Sequence, residues 1–142
     1  MSEALSFPPL GSALRQLRAD VRVAAVRLGG DEGLGDVLAL VADELVNNAI
    51  EHGAAYRNKN LDLRLTVDRV GERWRVAFHD PEMPAGEVAE LAASLADVVQ
   101  GMPSLESERG RGLFLLSVYL EEITAEADPA GGLLLAGWVA RS

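Results

Sequence analysis

Cysteine is absent from the 142-residue chain. Disulfides, thiolate nucleophiles, zinc ribbons and iron–sulfur sites are therefore excluded. Lysine occurs once, at Lys59, and positive charge is scarce overall: 13 cationic residues stand against 22 acidic ones, for a formal net charge of −9. That balance argues against broad binding to nucleic acid through a basic face. The acidic balance serves solubility or suits a partner with a basic surface. Long apolar runs are missing too. The uncharged apolar runs, such as the one near Gly112–Leu120, fall well short of the roughly 20 residues that span a bilayer. The opening segment MSEALSFPPL carries Glu3 and no basic stretch, which argues against a secretory leader. These absences lead to the expectation of a cytoplasmic protein. Repeats, low-complexity blocks and long linkers are also lacking, so residues 1–142 read as one domain, of the size at which domains cluster. Hydrophobic residues make up 49% and charged residues 25%, ordinary values for a chain with a packed core.

Periodicity divides the chain. Leu5–Phe7 is a short strand stopped by Pro8-Pro9. Leu10, Leu14, Leu17, Val21, Ala24 and Leu28 recur at three and four, which predicts a helix with Ser12 as a candidate cap and Gly29-Gly30 as its stop. A second helix is predicted from about Leu34 to Glu51, with Leu34, Leu38, Val41 and Leu45 as its apolar stripe. Leu61, Leu63, Leu65 and Val67 alternate with polar residues, as do Trp74, Val76 and Phe78, and Val70-Gly71-Glu72 lies between them as a hairpin turn. A helix over Ala85–Val99 follows, then a loop over Gly101–Arg109. Gly112–Leu120 reads as a buried helix opening on a Gly-Arg-Gly turn, and Glu122–Glu126 and Leu133–Val139 form a last hairpin about Asp128–Gly132. The expected architecture is α+β: a two-layer sandwich with a mixed, mostly antiparallel sheet and helices on one face.

Three places carry unusual chemistry. Asn47 and Asn48 sit in the middle of the second helix, where each costs about 0.5–0.7 kcal/mol relative to Ala. Glu44, Asn48 and His52 share one stripe at i, i+4 and i+8 beside the apolar one. The amide oxygen of Asn48 is a hard ligand suited to Mg²⁺, and Glu44 one turn away could take a proton from a hydroxyl. The plainer alternative is a solvated helix face. Asp80 ends the strand from Trp74, where its carboxylate could accept from an adenine amino group or simply initiate a turn before Pro81. Arg109-Gly110-Arg111-Gly112-Leu113 opens a helix, where backbone N–H groups could approach an anion; a tight turn explains the glycines equally well.

The order of these motifs resembles the GHKL superfamily of Bergerat-fold ATPases. Glu-x-x-x-Asn-Ala-x-x-His-Gly is similar to its N box, Asp80 to the start of its G1 box and Gly110-Arg-Gly-Leu113 to its G2 box. Within it, the short length, the opening helix with Arg15 and Arg18, and the close over Asp128–Gly132 resemble the bacterial anti-sigma factor serine-protein kinases. The resemblance implies an ATP- and Mg²⁺-dependent kinase with Glu44 as general base and Asn48 as metal ligand. It implies nucleotide contacts from Asn48, His52, Asp80, Met83, Arg109, Gly110, Arg111, Gly112 and Leu113. It also implies a homodimer that phosphorylates an anti-anti-sigma partner and sequesters a sigma factor, with no direct nucleic-acid or membrane role. The exposed series Arg15, Arg18 and Arg22 is the expected docking face.

The chain also departs from that pattern. Both G1 glycines are replaced in Asp80-Pro81-Glu82-Met83-Pro84, and Glu82 would repel a triphosphate nearby. Leu133 follows Gly131-Gly132 where the family would place a Thr behind Asp80. Two other readings stay open: a binding module of the same fold without phosphoryl transfer, and the catalytic fragment of a sensor histidine kinase.

Overall fold

The computed structural model describes residues 1–99 and 108–140. Strand β1 (Ser2–Phe7) leads through a single 3-10 turn at Gly11–Ala13 into α1 (Leu14–Arg27). Helix α1 buries Leu17, Val21 and Ala24 of the predicted stripe together with Ala25, whereas Leu10 lies before the helix and is exposed. Ser12 is not its cap. The residue lies inside the 3-10 turn, and Ala13 holds the N-cap position without a side-chain bond. Gly29 ends the helix at φ +93°, a conformation that glycine adopts without a Cβ penalty.

Helix α2 (Glu32–Gly53) starts two residues before the predicted Leu34. The reason is Asp31, whose carboxylate accepts the Leu34 N–H at 2.8 Å and satisfies one of the four donors that a helix start leaves open. The inner face of α2 buries Leu38, Val41, Ala42, Leu45, Val46 and Ala49.

Strands β2 (Leu63–Val70) and β3 (Arg73–Asp80) form a hairpin about Gly71 at φ +64°, and β4 (Leu120–Ala127) and β5 (Leu133–Val139) form another about Gly131 and Gly132. Both hairpins enter one sheet of order β1-β2-β3-β5-β4. All four pairings are antiparallel, so the mixed sheet expected from sequence is corrected to a purely antiparallel one. Two of the joins are hairpins, and even β1 and β2, linked through α1 and α2, pair antiparallel. Leu65, Phe78 and Leu135 lie opposite one another across three strands and are buried against the helices. The neighbouring row, Thr66, Ala77 and Ala136, faces away from them. This is a two-layer α+β sandwich.

Helix α3 (Ala85–Val99) and helix α4 (Glu108–Tyr119) complete the helical layer. The loop expected over Gly101–Arg109 lies, up to residue 107, outside the described residues. Gly110-Arg111-Gly112 does not form the predicted turn, because the helix already runs from Glu108. The Gly112 N–H therefore belongs to the intrahelical ladder and is not open to an anion in this conformation.

Candidate nucleotide site

Helices α2 and α4 enclose an open cleft of about 650 Å³. Helix α2 contributes Glu44, Asn47, Asn48 and Glu51, which stand at i, i+3, i+4 and i+7 and so share one face. Helix α4 contributes Arg111, Gly112, Phe114 and Leu115. Gly112 faces both α2 side chains: a Cβ there would stand at ordinary contact distance, 3.4 Å from Glu44 Oε2 and 3.8 Å from Asn48 Nδ2. Burial pushes the Glu44 carboxyl above the ordinary carboxylate range, and the charges of Asp43 and Glu51 add to it. A carboxylate that binds its proton more readily is better matched to general-base work near neutral pH.

A second cavity lies beneath the first, and Asn48 lines both. The lower one is apolar, bounded by Leu45, Phe78, Met83, Leu91, Leu113 and Leu116 among others, and holds about 10 Å³. That is room for no more than about one water molecule, and a purine does not fit without movement.

Asp80 does not itself line this cavity, but its partner across the sheet, Leu133, does. The alternation of β3 turns Asp80 inward, with Trp74, Val76 and Phe78, and it is completely buried. A buried carboxylate needs partners, and the segment after α2 supplies them. Arg57 grips it bidentately, Nη1 donating to Oδ1 at 3.1 Å and Nη2 to Oδ2 at 2.8 Å. The Tyr56 hydroxyl donates to Oδ2 at 3.0 Å and the Glu82 N–H to Oδ1 at 3.1 Å. Burial opposes the Arg57 charge, but the hydrogen bonds and charge of Asp80 outweigh it and raise the guanidinium pKa. Burial, then the Asp80 charge and hydrogen bond, push the Tyr56 hydroxyl far up. No hydroxyl backs Asp80 from β5: Leu133 pairs opposite it, and Gly132 sits so close to the Asp80 carbonyl and Pro81 that a Cβ would collide with both.

Glu82 is not aimed at the open cleft, contrary to the expectation of a repelling acid. Its carboxylate accepts the N–H groups of Asn58, Lys59 and Leu61 at 2.7–3.1 Å. Burial acts to raise its pKa, yet these bonds and the Arg57 charge overcome that and lower it. Glu82 thus ties the Arg57 segment to the end of β3.

Of the residues singled out from sequence, Glu44, Asn48, Arg111 and Gly112 meet at the open cleft, and Asn48, Met83 and Leu113 line the closed cavity. His52 is half-buried and lies among the lining residues of neither. Gly110 is in α4, and the Arg109 side chain lies outside the described residues. Sequence reading missed Arg57 and Tyr56, whose partner is 23 or 24 positions away in an aperiodic stretch; no local pattern announces such a pair. It also missed Glu51, which the i, i+7 spacing from Glu44 could have found. Among the described residues no group of three or more Asp, Glu or His could hold a metal alone. The donor set fits a Mg²⁺ that takes one amide oxygen from Asn48 and its other ligands from phosphate and water.

The model of the histidine kinase-like ATPase domain family matches residues 7–138. The chain belongs to that family, within the GHKL class, whose members bind ATP, typically with Mg²⁺. No curated protein matches the chain. No helix among the described residues is long and apolar enough to cross a membrane.

Proposed function

We propose that the protein is a Mg²⁺- and ATP-dependent serine-protein kinase of the anti-sigma factor type, which phosphorylates an anti-anti-sigma protein and sequesters a sigma factor as a homodimer. The observation that carries this reading is the pairing of Glu44 and Asn48 one helical turn apart on the wall of the open cleft, with Gly112 against both. Asn48 would hold the metal, and bound Mg²⁺ would supply charge neutralisation on the phosphates. Glu44 would take the proton of the partner's serine hydroxyl as its oxygen attacks the γ-phosphorus and the bond to ADP breaks. Arg111 lines the same cleft and adds positive charge beside the phosphates. At the other end Asp80 would accept from the adenine amino group. Docking through α1 would rely on Arg15, since Arg18 and Arg22 are engaged by Asp43 at 2.8 Å and Asp36 at 3.2 Å across the α1–α2 seam.

A second reading, a binding module without phosphoryl transfer, is favoured by the closed base-side cavity and the engaged Asp80. Labelled-phosphate transfer to the antagonist protein separates the two. The kinase reading expects transfer that needs Mg²⁺ and disappears in Glu44→Gln. A confirmed partner complex with no transfer by the wild type would overturn it in favour of the binding module.

A further inference from the structure

A carboxylate offers about four lone-pair sites, and Asp80 has four donors on them: two from Arg57, one from Tyr56 and one from the Glu82 amide. No acceptor site remains for a ligand amino group. The donors that could leave are the side chains of Tyr56 and Arg57, since the Glu82 amide is part of the turn itself. Arg57 Nη2 also donates to the Ala49 carbonyl at 3.3 Å, and its Nε is buried without a hydrogen-bond partner. Its grip is therefore strong at Asp80 and incomplete elsewhere. Their segment is held down a second time, by the three bonds from Asn58, Lys59 and Leu61 to Glu82. The cavity lined by Leu133, the residue paired with Asp80 across the sheet, is shut at about 10 Å³.

We propose that Tyr56 and Arg57 set the affinity and base selectivity of the nucleotide site by competing with the adenine amino group for Asp80. The inference rests on the reading of Asp80 as the adenine acceptor. Binding of the base then exchanges protein donors for a ligand donor, and ATP is held less tightly than an open site would hold it.

The test is calorimetric titration of wild type, Tyr56→Phe and Arg57→Gln with Mg·ATP and with the Mg²⁺ complex of purine riboside triphosphate, which lacks the amino group. Tyr56→Phe keeps Arg57 on Asp80 and removes a single donor, so it carries the test if Arg57→Gln fails to fold. Expected is a preference for ATP over the purine compound in wild type, and ATP binding roughly ten- to a hundredfold tighter in Tyr56→Phe, since a donor to a charged group no longer has to be displaced. A wild-type preference for ATP with unchanged or weaker ATP binding in the variants would overturn the competition and leave the reading of Asp80 intact. Equal binding of the two nucleotides by all three proteins would overturn the reading of Asp80, and the competition with it.

Discussion

At one end of the candidate site Glu44, Asn48 and Arg111 border a cleft of about 650 Å³, whereas at the other Asp80 lies fully buried, paired with Leu133 on the wall of a cavity of about 10 Å³. Among the described residues, Asn48 alone lines both. The difference follows from solvent. Polar groups on an open wall keep water as a partner and need nothing from the protein. A buried carboxylate without donors would cost several kcal/mol, so the chain provides an arginine fork, a phenol and an amide. The open end is thus built before any ligand arrives, and the closed end is complete without one. Triphosphate and metal would meet a prepared surface, while the base would have to open its own place.

The largest expected effect is at the open end. Glu44→Gln should lower phosphoryl transfer by roughly 10²–10⁴-fold, the usual contribution of a general base, while Mg·ATP affinity stays within a few-fold. Labelled-phosphate transfer beside calorimetry reads both. Robust transfer by the variant would remove Glu44 as the base.

Next comes a test that the closed end is core. Leu113 is 1% exposed and lines the apolar cavity, so Leu113→Ala should destabilise the fold by about 2–5 kcal/mol. Denaturant unfolding measures it. An unchanged midpoint would mean that the closed end is already loose in solution, and the contrast between the ends would fail.

These two residues also show what the sequence revealed. Leu113 was reached through the resemblance of Gly110-Arg-Gly-Leu113 to a family motif, whereas the helical spacing of Glu44 and Asn48 is legible from local periodicity. The strands were equally legible, because alternation of Leu63, Leu65 and Val67 needs no knowledge of neighbours. Two features were not. The start of α4 at Glu108 places Gly110-Arg111-Gly112 inside a helix, although glycine pairs favour turns by propensity; burial of Leu113 and Leu116 overrides that weak preference. The Arg57–Asp80 fork joins a loop to a strand end, and only the folded topology brings them together.

Asn48 lines both ends, and Asn48→Ala tests which end dominates. Loss of a metal-bound amide should cost about 1.5–3 kcal/mol, or roughly ten- to a hundredfold in Mg·ATP affinity. Binding measured without Mg²⁺ should change far less, and thermal unfolding of the unliganded protein should stay close to wild type. Equal losses with and without Mg²⁺ would move Asn48 from the metal to the base-side wall.

The smallest effect concerns the proton on Glu44. Its pKa is raised by burial first, then by Asp43, then by Glu51. As the proposed base, Glu44 would work only when deprotonated, so transfer should rise with pH through a midpoint above the ordinary carboxylate value and level off beyond it. The same shift has a stability consequence of fixed sign. A carboxyl that binds its proton more tightly in the fold favours the folded state below its unfolded pKa, and that contribution is lost as pH rises through the folded value. Glu51→Gln removes the third cause alone. The acid limb of the rate profile should then move to lower pH by a small amount, because Glu51 is exposed and water screens its charge. The shift should shrink further as salt is added. The plateau rate should be unchanged, since Glu51 affects only how much of Glu44 is ionised. A lowered plateau with an unmoved limb would assign Glu51 to the transition state and make the open wall a pair of working carboxylates.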